Sequence, residues 1–137
     1  MSQPIQVVAA VIYNPQGQIF IAKRPLHKHQ GGLWEFPGGK LEAGEPAKAA
    51  LERELFEELG IKVTACMPLI QICHDYQDQQ VDLDVWQVTE FSGVAHGREG
   101  QQVRWVSLAE IHNYSFPDAN KAILARLLEK SSQGISE

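Results

Sequence analysis

The stretch Arg53-Glu54-Leu55-Phe56-Glu57-Glu58 is where this chain concentrates groups able to do chemistry. At about 100° per residue, with Glu54 set to zero, Glu57 falls near ~300° and Glu58 near ~40° on a helical wheel, so three carboxylates share one face. Leu51, Leu55 and Leu59 fall at about 60°, 100° and 140°, a separate apolar arc that can dock on a sheet. Like charges three and four residues apart cost a helix a few tenths of a kcal/mol each, and Arg53 is spaced at i,i+4 to relieve only Glu57. Hard oxygen ligands gathered without His or Cys suit Mg²⁺, or Mn²⁺ in its place, ions that bridge a few carboxylates and the phosphates of a substrate. The alternative is a solvated charged face. The loop ahead of the helix weighs against it, because Gly38 and Gly39 let backbone come close to a ligand with no Cβ in the way.

The spacing is more specific than the composition. Gly39, five residues, Glu45, seven residues and then Arg53-Glu54-Leu55-Phe56-Glu57-Glu58-Leu59-Gly60-Ile61 match every position of the pattern G-x5-E-x7-R-E-U-x-E-E-x-G-U, where U is aliphatic. Seven fixed residues at about 7% each coincide by accident about once in 10⁸ windows. Residues 39–61 therefore resemble the signature box of the Nudix hydrolase superfamily. The resemblance continues through Leu33-Trp34-Glu35-Phe36-Pro37-Gly38-Gly39-Lys40, Arg98-Glu99-Gly100-Gln101 ahead of Trp105, and Phe116-Pro117-Asp118-Ala119-Asn120, segments similar to the bacterial branch of that family that hydrolyses 8-oxo-dGTP.

That resemblance implies a single domain over residues 1–137, an α/β/α sandwich with a mixed sheet between helices, and a small-molecule nucleotide substrate. It implies that Glu54, Glu57, Glu58 and Glu99 hold Mg²⁺ with the Gly38 carbonyl, that Glu54 or Glu99 is the base, and that Glu99, a loop carboxylate, enters the site only when nucleotide is bound. Arg53 is expected to orient a glutamate, and Glu45 to hold the geometry between loop and helix. Crowded carboxylates should raise one another's pKa. Arg24 and Lys40 are placed to reach phosphate oxygens, Lys23 to face solvent, and Phe36 and Tyr76 to wall a base pocket. Oxidation at C8 turns guanine N7 into a donor beside the O6 acceptor, and the Asn120 amide offers an acceptor and a donor side by side to match.

The elements that must carry these residues read as α+β. Ile5–Tyr13 and Gln18–Lys23 flank the turn signal Asn14-Pro15-Gln16-Gly17 and predict a β-hairpin. Pro37-Gly38-Gly39 predicts a turn, and Pro46 a first helical position ahead of Ala47–Leu59, with Gly60 just past the end. Ile61–Ile72 predicts a strand bent near Pro68. Val81–Phe91 predicts another, with Val81, Leu83 and Val85 inward and Asp82 and Asp84 on the opposite face, and a polar loop over Asp75–Gln80 joins the two. Val103–Val106 is a further strand, and Ser107 with Glu110 a capping box opening a short helix. A last helix from near Pro117 presents Ile123, Leu124, Leu127 and Leu128 as its apolar stripe, with 131–137 expected to fray.

With 137 residues, 44% hydrophobic and 21% charged, the chain has the apolar content of one globular unit. The acids Glu42, Glu45, Glu52, Glu54, Glu57 and Glu58 against Lys48 and Arg53 put −4 of the net −5 into one window. That balance excludes a duplex nucleic-acid polymer as the main partner. No apolar run approaches the ~20 residues of a membrane span, so a cytoplasmic, monomeric protein is expected. Cys66 and Cys73 read as reduced thiols, and His27, His29, His74, His96 and His112 as unconnected residues rather than metal ligands. The competing readings are a related enzyme for a cytosine nucleotide or ADP-ribose, and a non-catalytic nucleotide-binding module.

Overall fold

The computed structural model describes residues 3–27 and 31–135, the last six of these as backbone only. Its strands are β1 (Ile5–Ile12), β2 (Ile19–Lys23), β3 (Trp34–Glu35), β4 (Gly38–Lys40), β5 (Lys62–Tyr76), β6 (Gln79–Ser92) and β7 (Val103–Val106). Two helices accompany them, α1 (Ala47–Leu59) and α2 (Asp118–Ile135). They build two sheets, a mixed one in the order β4-β1-β6-β5 and an antiparallel one in the order β3-β2-β7. β1 runs parallel to β6 and antiparallel to β4.

β1 explains the layering. A strand sends alternate side chains to opposite faces, and from Val8 to Ile12 both sets are buried. Val8, Ala10 and Ile12 join Phe20 and the Leu51, Leu55 and Leu59 arc of α1 in one core, while Ala9 and Val11 join Ile19, Ile21, Phe36 and the Ile123 and Leu127 stripe of α2 in the other. Helices thus cover both faces of the sheet layer, the sandwich expected from sequence, with two sheets in place of a single mixed one.

Several local expectations need correction. The turn after β1 forms, with Gly17 N–H donating to Asn14 at 2.9 Å, but β1 and β2 meet only in a lone Tyr13–Ile19 bridge before entering different sheets. Gly38 and Gly39 are strand residues, not a turn, paired with Ala9 and Val8. Pro46 is the residue before the helix, in extended conformation, and Gly60 closes it at φ +73° in the left-handed region that glycine adopts without strain. β5 reaches Tyr76, so its hairpin with β6 turns over residues 77–78 alone. Its pairing with β6 shifts register between Val63 and Cys66 and between Pro68 and Ile70. Ser107 and Glu110 bond side chain to side chain at 2.9 Å, yet they open only a single 3-10 turn, Ile111–Asn113. Leu128 is half exposed, and the backbone of α2 runs to Ile135, past the point where fraying was expected. No helix among the described residues is long and apolar enough to cross a membrane.

Candidate active site

A cleft of about 1370 Å³ runs between α1, β4 and the start of α2. Its walls include Arg24, Glu35, Phe36, Gly38, Lys40, Glu54, Glu57, Glu58, Tyr76, Glu99 and Asn120, so ten residues singled out in sequence border one space. Arg53, set back from it, braces the acidic wall. Val81 and Leu83 line the cleft while Asp82 and Asp84, alternate in the strand, do not.

Two glycines let the acidic helix sit so close. A Cβ on Gly38 would run into the Val8 carbonyl oxygen, and one on Gly39 would run into the Glu54 carboxylate. The neighbouring strand and a glutamate of the acidic face approach these positions, the local reason for glycine at both.

Arg53 organises one half of the face. Its Nε and Nη2 donate to the two oxygens of Glu45 at 2.8 and 2.9 Å, and Nη2 also donates to the Lys40 carbonyl at 3.1 Å. Nη1 donates to Glu54 at 2.9 Å and to Glu57 at 3.1 Å. One guanidinium therefore ties the loop before the helix to the helix and donates hydrogen bonds to three carboxylates, where spacing alone allowed it Glu57. Glu45 also accepts the Glu42 N–H at 3.0 Å. Arg53 beside it, with that backbone bond second, holds its carboxyl down to about 2.

Glu58 is the opposite case. Burial, first, and the charges of Glu54, Glu35 and Glu99, next, push its carboxyl up to about 8, against a backbone hydrogen bond from Gly38. Among the described residues no Lys or Arg pairs with it. Burial likewise raises the Glu54 carboxyl, with Arg53 opposing. Crowding was the expected cause; desolvation is the larger one.

The carboxylates share the cleft without forming a cage: among the described residues no three His, Cys, Asp or Glu side chains converge tightly enough to grip an ion. Arg53 engages oxygens of Glu54 and Glu57 that the expected metal set would use. The donors still fit a hard divalent cation in kind, since all are oxygens and one, Glu58, is a half-buried carboxylate with no cationic partner among the described residues. Glu99 already stands within electrostatic reach of Glu54 and Glu58.

At the other end of the cleft, the Asn120 side-chain oxygen accepts the Phe36 N–H at 3.3 Å. That bond fixes which way the amide faces, with its NH2 turned from Phe36 and one oxygen lone pair spare. Phe36 is buried and stacked on Phe116 at 5.3 Å, so it backs the cleft as core. The Tyr76 hydroxyl accepts the Ala119 N–H at 3.2 Å, bracing the first turn of α2. Arg24 is ion-paired with Glu35 at 2.6 Å rather than waiting free for phosphate.

Glu35 is the residue that sequence reasoning passed over. It lines the cleft, pairs Arg24 and adds to the field on Glu58. The available signal was a lone carboxylate inside the apolar run Leu33–Phe36.

A sheet layer between two helices, with a glycine-backed acidic helix facing an open cleft, is the arrangement that the 39–61 pattern implies. The NUDIX domain model matches residues 8–126, and the chain belongs to the Nudix hydrolase family, enzymes that use divalent metal ions and act on small nucleotide substrates. It is similar to the 8-oxo-dGTP diphosphatase of Proteus vulgaris, 45% identical over 70% of this chain and 86% of that one. It is also 38% identical to the CTP pyrophosphohydrolase of Escherichia coli strain K12, over 88% of each. A solved structure described under MutT of Aliivibrio salmonicida or Vibrio cholerae superposes with a TM-score of 0.83 at 45% identity, covering 93% of this chain and 99% of that one.

Proposed function

We propose that the chain is a Mg²⁺-dependent pyrophosphohydrolase, Mn²⁺ substituting, that converts 8-oxo-dGTP and 8-oxo-GTP to the monophosphate and pyrophosphate and so keeps oxidised guanine out of replication. The observation that carries the base assignment is the Asn120 amide, oriented by the Phe36 N–H and bordering the same cleft as the acidic helix. With its orientation set, the spare lone pair accepts from the N7–H of the oxidised base and the NH2 donates to O6, while ordinary guanine presents a lone pair to a lone pair. The Proteus relative supports this reading.

Glu54, Glu57, Glu58 and Glu99, with the Gly38 carbonyl, would hold the metal. When bound, Mg²⁺ supplies neutralisation of phosphate charge and polarisation of phosphorus. Arg53 orients Glu54 and Glu57, Lys40 reaches phosphate oxygens, Arg24 does so on exchanging its Glu35 partner for phosphate, and Phe36 and Tyr76 shape the base end. Glu54 or Glu99 takes a proton from the attacking water, whose oxygen enters at phosphorus as the bridge between the α- and β-phosphates breaks, leaving monophosphate and pyrophosphate.

A cytosine nucleotide is the second reading, favoured by the 38% identity to the Escherichia coli enzyme. The deciding experiment compares kcat/KM for 8-oxo-dGTP, dGTP and CTP in the wild type and in Asn120→Ala. Loss of a bidentate pair, ~1 to 3 kcal/mol, should shrink the 8-oxo-dGTP to dGTP ratio about five- to 150-fold, with dGTP barely changed. A wild type that prefers CTP, or a variant that keeps the ratio, moves the cytosine reading ahead. Orthophosphate as the first product, or full activity in EDTA, overturns both.

A further inference from the structure

The segment carrying Glu99 is docked on the end of α1, and one side chain holds both sides of the joint. Gly97 to Gly100 forms a tight turn, Gly100 N–H donating to the Gly97 carbonyl at 3.0 Å with Gly100 at φ +82°, which sets Glu99 near the tip. The last carbonyls of a helix lack partners within it. Here the turn supplies two of them, Arg98 N–H donating to the Glu58 carbonyl at 3.0 Å and His96 N–H to the Leu59 carbonyl at 3.1 Å, while Arg98 Nη1 adds a second bond, at 2.8 Å, to the Phe56 carbonyl that already accepts the Gly60 N–H. The guanidinium also lies over the Phe56 ring, 5.4 Å from its centre, and brings positive charge to the negative end of the helix.

Gln101 completes the joint in a different way. Its Oε1 accepts the Glu99 N–H at 2.9 Å, and its Nε2 donates to the Glu58 carbonyl at 3.3 Å. An amide can serve a donor and an acceptor at once in only one orientation, so this side chain fixes the backbone of Glu99 against the backbone of Glu58. Gly97 makes the room: a Cβ there would run into the Gln101 carbonyl oxygen and come within 3.1 Å of Oε1.

We propose that Gln101 is the positioning residue for Glu99, clipping the turn that bears it to the last turn of the acidic helix so that the two carboxylates keep their relative placement. The proposal rests on Glu99 acting in the hydrolysis of the nucleotide. Placement sets the rate once substrate is bound and leaves binding of the nucleotide largely alone.

The test is Gln101→Met, which keeps length and packing but can make neither bond, assayed alone and together with Glu99→Gln on 8-oxo-dGTP or whichever triphosphate the wild type prefers. The expected result is a fall of about tenfold in kcat with KM within about twofold, and no further loss when the change is added to Glu99→Gln. The Glu99 amide proton should lose protection from exchange in Gln101→Met. Gln101→Glu retains the acceptor for the Glu99 N–H and should keep that protection, which separates a broken clip from a damaged fold. Glu99→Gln slow but Gln101→Met as fast as wild type overturns the positioning role alone. Losses that multiply in the double variant, or a rise in KM only, overturn it as well. Glu99→Gln at wild-type rate removes Glu99 from the reaction and the proposal with it.

Discussion

Glu45 and Glu58 belong to the same acidic surface, yet one carboxyl is held down to about 2 and the other pushed up to about 8. Glu45 meets a guanidinium in a two-pronged bond and takes a backbone N–H besides. Glu58 is half-buried beside Glu54, Glu35 and Glu99 with one backbone donor for relief. The difference separates two tasks within one motif. Glu45 has its counter-charge inside the chain and serves as scaffold, whereas Glu58, with the Arg53-braced Glu54 and Glu57 between the two, keeps an unmet demand for positive charge, where a divalent cation has most to neutralise.

The comparison breaks most visibly at Glu58 itself. Glu58→Gln keeps the shape and removes the charge; a loss of ~4 kcal/mol of transition-state stabilisation corresponds to about three decades in kcat. The same change should stabilise the metal-free protein at pH 8 and above. Its pKa is raised on folding, so the native state holds a proton that the unfolded chain has released between about 4.5 and about 8, and stability falls as pH rises through that window. Glu58→Gln should remove that slope from melting curves in EDTA. A variant within about twofold of wild-type rate places the metal demand elsewhere.

Arg53→Met should cost both properties together, because it strips the partner from Glu45, Glu54 and Glu57 at once. About two decades in rate with a lower melting temperature is the expected outcome. Arg53→Lys should rescue little, since an ammonium cannot reproduce the fork to Glu45. A lysine variant near wild type reduces Arg53 to a point charge.

How much of this is legible in sequence depends on the range of the interaction. The leucine arc and the shared carboxylate face follow from helical spacing within eight residues, and Leu51, Leu55 and Leu59 are fully buried. Asn14-Pro15-Gln16-Gly17 does form a turn, but a local signal carries no information on whether the flanking strands stay together, and β1 is instead claimed by β4 and β6. Gly38 and Gly39 look like a turn in sequence because their reason is tertiary, the approach of Val8 and Glu54. The roles of Glu35 and Gln101 escape for the same cause: each acts on Glu58 from a distant point in the chain.

The smallest effect expected is at Glu45→Gln, which leaves the neutral side chain able to accept from Arg53. About tenfold in rate or less should be lost. Its folded pKa is depressed, so its contribution to stability is complete above about 4.5 and is lost as pH falls toward about 2. Wild type and variant should therefore differ in stability at neutral pH and converge in acid, the reverse of the Glu58 pattern. Parallel stability curves across that range would erase the contrast between the two ends.

The contrast is measured most directly by observing the Glu58 side-chain carboxyl carbon by NMR in a pH titration, with and without saturating Mg²⁺. A midpoint near 8 in the metal-free protein that falls by several units with Mg²⁺, while Glu45 stays well below the usual carboxylate range in both, is the expected result. A Glu58 midpoint near 4.5 that Mg²⁺ does not move would contradict the division of the acidic face into scaffold and metal-seeking halves.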